Sequence, residues 1–295
     1  MRAIIDIGTN SVRLLLAEKD DKDEWKVLKK DLRSSRLGEG MTDTACIGQG
    51  ARERTLQAVE GDVKEAKEAG AARFDIVTAG RDQRNPKDFA EILHLIRRIR
   101  TEIGIEVCCS LGFLTQEQAY QLSEAGVNRL HCNIESAPSF FQEVCTTHTA
   151  EEKAENIQRA QKAGIRVCCG GILGLGETLD QRVEMAFHLK KLHIDAIPLN
   201  VLNPIPGTPY EHNEPLAPLE ILRSFAMFRF VLPKAQIRTA GGRQLNLRSL
   251  QSMALAGGMN GVMIGNYLTS KGSDPHDDLT MLRDLGRTRT MPNVQ

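Results

Sequence analysis

One pattern recurs along most of this chain: a polar-faced helical stretch ends in glycine, and a short β-branched strand follows at once. Four predicted helices end in this way, at Gly70, Gly104, Gly126 and Gly164. Glycine just past the last turn is the usual C-terminal cap of a helix. Strands that alternate with helices at this spacing predict a parallel sheet, and so many units favour a (β/α) TIM-type barrel of the α/β class over an open sheet.

The pattern predicts seven parallel strands, whereas a closed TIM-type barrel has eight. The predicted strands are Arg73–Thr78, Ile105–Ser110, Asn128–Ile134, Ile165–Gly170, Ile194–Asn200, Gln236–Ala240 and Gly261–Gly265. Helices are predicted at 51–70, 88–101, 115–125, 150–163, 178–192, 217–231 and 245–256. The deficit lies at the N-terminal end, so the barrel is expected to lack its first strand and to leave two unpaired edges.

The first fifty or so residues predict a β-meander instead of a βα unit. Short strands are expected at Ala3–Ile7, Val12–Ala17 and Trp25–Lys30, and a junction with the barrel is expected within 50–62. The turn from Asp6 to Ser11, DIGTNS, has two interpretations. It can gather backbone N–H groups and hydroxyls around a phosphate, or it can be an ordinary hairpin turn of turn-prone residues.

Composition excludes several classes of function. The 295 residues carry no net charge, which gives no basis for binding nucleic acid or an anionic membrane. No apolar run approaches the roughly 20 residues of a membrane span, and no signal-peptide cleavage pattern is present. A cytoplasmic protein is the simplest expectation. The seven cysteines, an odd number, argue against a disulfide framework.

Two cysteine doublets end predicted strands, at Cys108–Cys109 and Cys168–Cys169. Successive residues of a strand face opposite sides, so one cysteine of each doublet can face the barrel lumen. Barrels of this type keep their active sites at the carboxyl ends of the strands, and thiolates suit iron. Glycines follow the second doublet, in VCCGGILGLGET, and allow backbone to approach a ligand closely. Cys46, by contrast, is interpreted as a small buried hydrophobe.

Six ordered segments between about residues 60 and 286 resemble the biotin synthase family. They are CSLGFLT (109–115), CTTHT (145–149), VCCGGILGLGET (167–178), PLNVLNPIPGTP (198–209), FRFVLPKAQIRTAGGR (228–243) and DDLTMLRDLG (277–286). The resemblance implies a radical S-adenosylmethionine (SAM) enzyme on a (β/α) barrel, a sulfurtransferase that inserts sulfur into dethiobiotin. It also implies SAM, an auxiliary iron–sulfur cluster of the 2Fe–2S or a related type, a 4Fe–4S cluster and a homodimer.

The resemblance assigns roles to particular residues. Cys108, Cys168 and Arg238 match the auxiliary-cluster residues, and Asp75 stands where many members have a further cluster cysteine. The segment that lines the SAM adenine matches Gly170, Gly171, Ile172 and Gly174. Asn133 and Glu135, in HCNIES, match residues that contact the SAM sugar and dethiobiotin, and Asn200 matches a substrate-contacting asparagine.

Structural interpretations stand beside these roles. Arg238 can form an ion pair at the barrel mouth, and Asn200 can satisfy nearby backbone. Gly170–Gly174 can form a tight turn before a helix capped by Thr178 or Asp180. No metal-ligand spacing surrounds His131 or His148, which favours structural roles for both. Core positions are predicted for three aromatic residues: Phe225, Phe228 and Phe230.

Residues 1–58 resemble a different family, the exopolyphosphatase and guanosine-pentaphosphate phosphohydrolases, whose fold is actin-like. The matching motifs are DIGTNS and RLGEG (36–40), but the second phosphate loop of that family does not occur in this chain. The predicted domains are therefore 1–58, a partial actin-like segment, and 59–295, a biotin synthase-like barrel. Phosphohydrolase activity and a non-catalytic barrel that binds iron–sulfur clusters or SAM are the alternative functions.

One expected motif is missing from the sequence. Radical SAM enzymes hold their 4Fe–4S cluster with three cysteines in a CxxxCxxC loop, and no CxxxCxxC occurs in these 295 residues. Cys46 is the only cysteine before Cys108. The sequence therefore predicts a fusion that retains the SAM-binding and auxiliary sites. It also predicts that this chain does not cleave SAM.

Overall fold

The computed structural model of the chain describes residues 2–7, 12–19, 25–33, 49–68, 73–78, 80–263 and 273–287. The chain divides into two compact units. The first comprises Met1–Cys132 and Glu152–Val167, and the second comprises Asn133–Glu151 and Cys168–Gln295. The turn at residues 8–11 and Cys46 lie outside the described residues.

The described part contains both strands and helices in alternation. The strands are β1 (Arg2–Ile7), β2 (Val12–Lys19), β3 (Trp25–Arg33), β4 (Arg73–Val77), β5 (Glu106–Ser110), β6 (Val127–His131), β7 (Arg166–Cys168), β8 (Gly171–Leu173), β9 (Ala196–Val201), β10 (Gln236–Thr239) and β11 (Gly261–Val262). The α-helices are α1 (Gln49–Glu68), α2 (Pro86–Arg98), α3 (Gln116–Glu124), α4 (Phe141–Val144), α5 (Ala150–Lys162), α6 (Leu179–Lys191), α7 (Pro218–Val231), α8 (Arg243–Leu247), α9 (Gln251–Ala256) and α10 (Pro275–Asp284).

In the first unit, an antiparallel meander precedes the βα repeats. Strands β1, β2 and β3 pair in chain order, which confirms the predicted meander. Strand β1 also packs beside β4, at the edge of the parallel strands. Helix α1 then crosses the predicted junction without a break and buries Ala58, Val59 and Val63. The N-terminal segment is thus in contact with the strand where the predicted barrel lacks a partner.

The parallel strands of the first unit follow the predicted order, with β4 beside β5 and β5 beside β6. Three of the four glycines predicted to end helices do so with left-handed backbone: φ is 70° at Gly104, 97° at Gly126 and 79° at Gly164, whereas Gly70 lies outside the described residues. Each glycine reverses the chain so that the next strand starts immediately. Apolar side chains of α2, including Leu93 and Ile96, are buried and contribute to the core.

In the second unit, β9 is the central strand. Strands β8 and β10 pair with it in parallel, Cys168 of β7 pairs with Ala196, and β11 continues the sheet beside β10. The predicted strand Ile165–Gly170 is shorter than expected and a separate strand, β8, follows it. The interruption at Cys169 and Gly170 carries the contacts described below.

Two predictions about this unit were wrong in detail. The helix expected over 245–256 is three short pieces, α8, a 3-10 turn at Arg248–Leu250 and α9, because Arg248 has a φ of 51°. Phe225 and Phe228 are buried as predicted, but Phe230 is 87% exposed because it lies on the opposite face of α7. The helices of the described residues include none long and apolar enough to cross a membrane.

Candidate functional site

Just after the carboxyl end of β7, hydrogen bonds link residues 133–135 to residues 170–172. We call this arrangement the Gly170 frame. The Gly170 N–H donates to Asn133 Oδ1 at 3.0 Å, and its carbonyl accepts from Ile134 N, also at 3.0 Å. A Cβ atom at Gly170 would stand 1.8 Å from the carbonyl oxygen of Pro198. Only glycine therefore allows this strand end and β9 to approach so closely.

Glu135 closes the other side of the same frame. Its backbone φ is 62°, an uncommon value for a residue with a side chain. Its carbonyl accepts from Ile172 N at 2.8 Å, and Glu135 forms an isolated parallel bridge with Gly171. A Cβ at Gly171 would stand 2.6 Å from that carbonyl oxygen. The structure thus brings Asn133 and Glu135 alongside Gly170, Gly171 and Ile172.

Asn200 forms hydrogen bonds both to this frame and to the segment that follows β10. Its Oδ1 accepts from Gly241 N at 2.8 Å, and its Nδ2 donates to the Gly171 carbonyl at 3.4 Å. The side chain is half-buried. The interpretation of Asn200 as a residue that satisfies backbone is therefore correct, and the same contacts place its amide group beside the Gly171 strand.

Cys168 lies on β7 and Arg238 on β10, the two strands that flank β9, and their side chains are in contact. Arg238 Nη2 donates to Cys168 Sγ at 3.1 Å. Cys168 is buried, and Arg238 Nε is a buried donor without a hydrogen-bond partner among the described residues. A guanidinium has five donors and no lone pair, so its chemistry here is to donate to sulfur. A buried sulfur that accepts from an incompletely satisfied guanidinium is compatible with a cysteine that ligates iron.

The first unit holds the other cysteine doublet. Cys108 and Asp75 are register partners on β5 and β4, so their side chains stand on the same face of the two strands. Asp75 is exposed, whereas Phe74 and Ile76 on either side of it are buried. Burial, and then the Asp75 carboxylate, raise the pKa of the Cys109 thiol. Cys109 is thus held neutral, while Cys108 lies beside a carboxylate.

Glu177 and Arg182 form a buried ion pair at the turn that follows the Gly170 frame, and the sequence did not predict it. We call this pair the clamp. Glu177 Oε1 accepts from Gly174 N at 2.8 Å and from Arg182 Nε at 2.7 Å. Arg182 also donates to Glu220 and Ser224. The side chains of Arg182 and Glu177 are 3% and 2% exposed. Gly174 is therefore held through a carboxylate on its own turn, a contact that no local pattern predicts.

The helix that follows begins as one of the two predicted alternatives. Thr178 is the N-cap of α6 and forms a capping box with Gln181, whereas Asp180 lies in the first turn and is not the cap. Of the histidines, His148 lies beside Cys145, and its Nδ1 is 3.3 Å from the sulfur. Among the described residues, no three His, Cys, Asp or Glu side chains are grouped so that they could hold a metal ion by themselves.

Two family models match the chain. The Radical SAM superfamily matches residues 44–189, and the Biotin and Thiamin Synthesis associated domain matches residues 198–288. The first match starts upstream of the boundary predicted at residue 58, and it overlaps the segment assigned to another family.

Curated relatives agree with these models. A biotin synthase of Carboxydothermus hydrogenoformans is 52% identical over 224 residues, which covers 76% of this chain and 69% of the relative. A biotin synthase of Geobacter sulfurreducens is 50% identical and covers 76% and 68%.

Solved structures at lower identity show the fold. Methylornithine synthase matches with a TM-score of 0.63 at 19% identity, over 78% of this chain and 73% of that one. A FeFe-hydrogenase maturase from Carboxydothermus hydrogenoformans matches with a TM-score of 0.61 at 18% identity, over 78% and 58%. The α/β class with parallel barrel strands, predicted from the helix–glycine–strand pattern, is thereby confirmed.

Proposed function

The chain belongs to the biotin synthase family of radical SAM proteins, and from this premise we propose that it binds SAM and an auxiliary cluster but does not itself cleave SAM. In the family, SAM supplies the radical that activates dethiobiotin and the auxiliary cluster supplies the sulfur. The observation that carries the proposal is a contrast. The contacts of the Gly170 frame and of the Cys168–Arg238 pair are formed, whereas the sequence has no CxxxCxxC to hold a 4Fe–4S cluster.

We assign the auxiliary cluster to Cys108, Cys168 and Arg238. The role of Cys168 is supported by its burial and by the Arg238 guanidinium 3.1 Å from its sulfur. Arg238 would stabilise a thiolate or a cluster sulfur by donation, which also tunes a cluster's potential. The role of Cys108 rests on the sequence match, and Asp75 beside it is the further oxygen ligand that this chain offers in place of a cysteine.

We assign SAM to the frame formed by Asn133, Glu135, Gly170, Gly171, Ile172 and Gly174, and dethiobiotin to Asn133 and Asn200. Hydrogen bonds within the second unit connect all of these segments. Two features would orient a bound nucleoside: the backbone of Gly170–Ile172, and the clamp from Glu177 that holds Gly174. Asn200 would keep its backbone contacts while it presents its amide to the substrate.

The 4Fe–4S cluster that reduces SAM in this superfamily does not fit the residues of this chain. Such a cluster needs closely spaced thiolates, and Cys46 is the only cysteine before residue 108. No step of SAM cleavage is therefore assigned to the chain.

The experiment is an anaerobic reconstitution of the whole chain with iron and sulfide, followed by an assay for 5′-deoxyadenosine with SAM and dithionite. The proposal expects bound iron and no product above a control without protein. Turnover in proportion to protein concentration would overturn it. A Cys46→Ala variant distinguishes an unexpected ligand, since turnover that survives this change cannot depend on the N-terminal cysteine.

We also propose the boundary at residue 58, with a phosphohydrolase-derived start joined to the barrel, and a cytoplasmic homodimer as in the family. The comparisons do not favour phosphohydrolase activity itself. Sedimentation of the reconstituted chain tests the dimer, which should have twice the mass of the 32.6 kDa chain. A monomer at micromolar concentration would contradict that part of the proposal.

A further inference from the structure

Cys145 differs in its surroundings from the other cysteines of the described residues. Cys108, Cys109, Cys132, Cys168 and Cys169 are buried, whereas Cys145 is half-exposed. It follows α4 directly, where the chain turns out of the helix with extended backbone at Cys145. Reagents in solution can therefore reach its sulfur without opening the core, which they cannot do at the five buried thiols.

Two polar side chains flank the Cys145 sulfur. Sγ lies 3.3 Å from His148 Nδ1 and 3.3 Å from Thr147 Oγ1, and these two atoms are 3.0 Å apart. The His148 ring also packs against the buried ring of Phe141, with 5.5 Å between the centroids. The imidazole is thus held by an aromatic neighbour on one side and a hydroxyl on another, next to the thiol.

A third polar group, the Tyr210 phenol, responds to this thiol. Burial and then the charge of Cys145 raise the pKa of Tyr210. The surroundings of Cys145 therefore include an imidazole that can accept the thiol proton and the Thr147 hydroxyl, which can stabilise the anion.

We propose that Cys145 is a nucleophilic, peroxide-sensitive modification site in which His148 acts as the proton acceptor for the thiol. A nucleophile with a base in hydrogen-bond reach, where a further group orients the base, is the arrangement by which proteins activate thiols. The ligand class is a small hydroperoxide or a soft electrophile that enters from solvent. The proposal is independent of SAM and iron, because Cys145 and His148 belong to neither assigned set.

The reaction with hydrogen peroxide balances with the groups present. The thiol proton passes to His148, and the thiolate sulfur attacks one peroxide oxygen. A sulfur–oxygen bond forms as the oxygen–oxygen bond breaks, so sulfur is oxidised to a sulfenic acid and the peroxide is reduced. The leaving hydroxide takes the proton from His148 and departs as water. Each step uses an atom within the Cys145, Thr147 and His148 cluster or the peroxide itself.

The experiment measures modification at each cysteine of the full chain by mass spectrometry, at pH 7. Iodoacetamide is one probe, and hydrogen peroxide followed by trapping of sulfenic acid with dimedone is the other. Cys145 should react at least about ten-fold faster than Cys169. The His148→Gln variant should lower the Cys145 rate by about ten-fold or more, since the proton acceptor is lost. Equal rates in wild type and His148→Gln would overturn the proposal, as would faster labelling at a buried cysteine.

Two controls separate activation from simple exposure or misfolding. In concentrated urea, wild type and His148→Gln should label at Cys145 at the same rate, because the pair no longer exists. A difference that persists in urea would contradict the role of the folded pair. His193→Gln, which changes another histidine of the second unit, should leave the Cys145 rate of the folded chain unchanged, whereas an equal slowing in this variant would show that the His148 effect is not local.

Discussion

The two cysteine doublets look alike in the sequence and differ in the structure. Both end parallel strands, and all four side chains are buried. Cys109 is kept neutral, because burial and the Asp75 carboxylate raise its pKa. Cys168 instead receives a guanidinium hydrogen bond from Arg238. Burial is therefore common to all four cysteines, and the neighbouring charged group is what differs: the Arg238 guanidinium at Cys168, and the Asp75 carboxylate beside the first doublet.

The largest expected effect separates the members of the second doublet. Cys168→Ser should abolish most of the iron taken up on anaerobic reconstitution, because serine oxygen is a poor replacement for a cluster thiolate. Cys169→Ser is the matched control, adjacent in sequence and equally buried, and it should retain the wild-type iron content. Iron and sulfide analyses check both. The assignment of Cys168 fails if the two variants bind the same amount of iron.

The next effect tests the clamp behind the glycine-rich strand. Arg182→Met leaves the buried Glu177 carboxylate and Glu220 without their cation, which should lower the free energy of unfolding by about 3–5 kcal/mol. Arg84→Met is the control, because that side chain is 82% exposed in its pair with Asp82 and should cost less than about 1 kcal/mol. Urea unfolding measures both, and equal losses would show that Arg182 does not act as a buried clamp.

A smaller loss is expected from the close approach of backbone at the strand end. Gly170→Ala places a Cβ 1.8 Å from the Pro198 carbonyl oxygen, so the strands must separate, at about 2–3 kcal/mol. The same change at Gly50, near the start of α1, meets no atom closer than 3.4 Å and should leave stability unchanged or raise it by up to about 1 kcal/mol. Thermal and urea unfolding measure both variants. A neutral effect of Gly170→Ala on the free energy of unfolding would contradict the prediction.

The smallest effect concerns the neutral thiol of the first doublet. The pKa of Cys109 is raised in the folded chain above the ordinary value of 9.0. The folded state therefore binds the proton more tightly, and this stabilisation is present at low pH and is lost as pH rises past 9. The loss should be about 1.4 kcal/mol per pH unit there.

Cys109→Ala removes that dependence. The difference in the free energy of unfolding between wild type and Cys109→Ala should narrow as pH rises from 8 to 10, because only wild type loses the Cys109 contribution. Other titrating groups change both proteins equally and cancel in the difference. Urea unfolding at each pH measures the difference. A constant difference would show that Cys109 titrates as it does in the unfolded chain.

Much of the fold could be predicted from local signals. The strands β4, β5, β9 and β10 lie within a residue or two of their predicted positions, because a short apolar or β-branched run marks each of them. The break between β7 and β8 could not be predicted, since it arises when Gly170 bonds to Asn133 and Ile134, far away in the sequence. The exposure of Phe230 was missed because the composition of α7 is apolar on more than one face.

The candidate site shows the same division. Its residues were predicted from the family resemblance, and the structure adds the contacts that hold them. The Glu177–Arg182 clamp joins a turn to α6 and α7, and no spacing within the sequence indicates that Arg182 would select Glu220 38 residues away. The Cys145–His148 pair lies within one quoted motif, CTTHT, and its short spacing was the signal that could have indicated contact.

The most direct test of the account measures SAM binding and SAM cleavage in one sample. The reconstituted chain is titrated with SAM by anaerobic equilibrium dialysis, and the same sample is then analysed for 5′-deoxyadenosine after dithionite is added. The account predicts saturable binding of SAM and no 5′-deoxyadenosine above background. Catalytic formation of 5′-deoxyadenosine, or a folded, iron-loaded chain that binds no SAM, would contradict it.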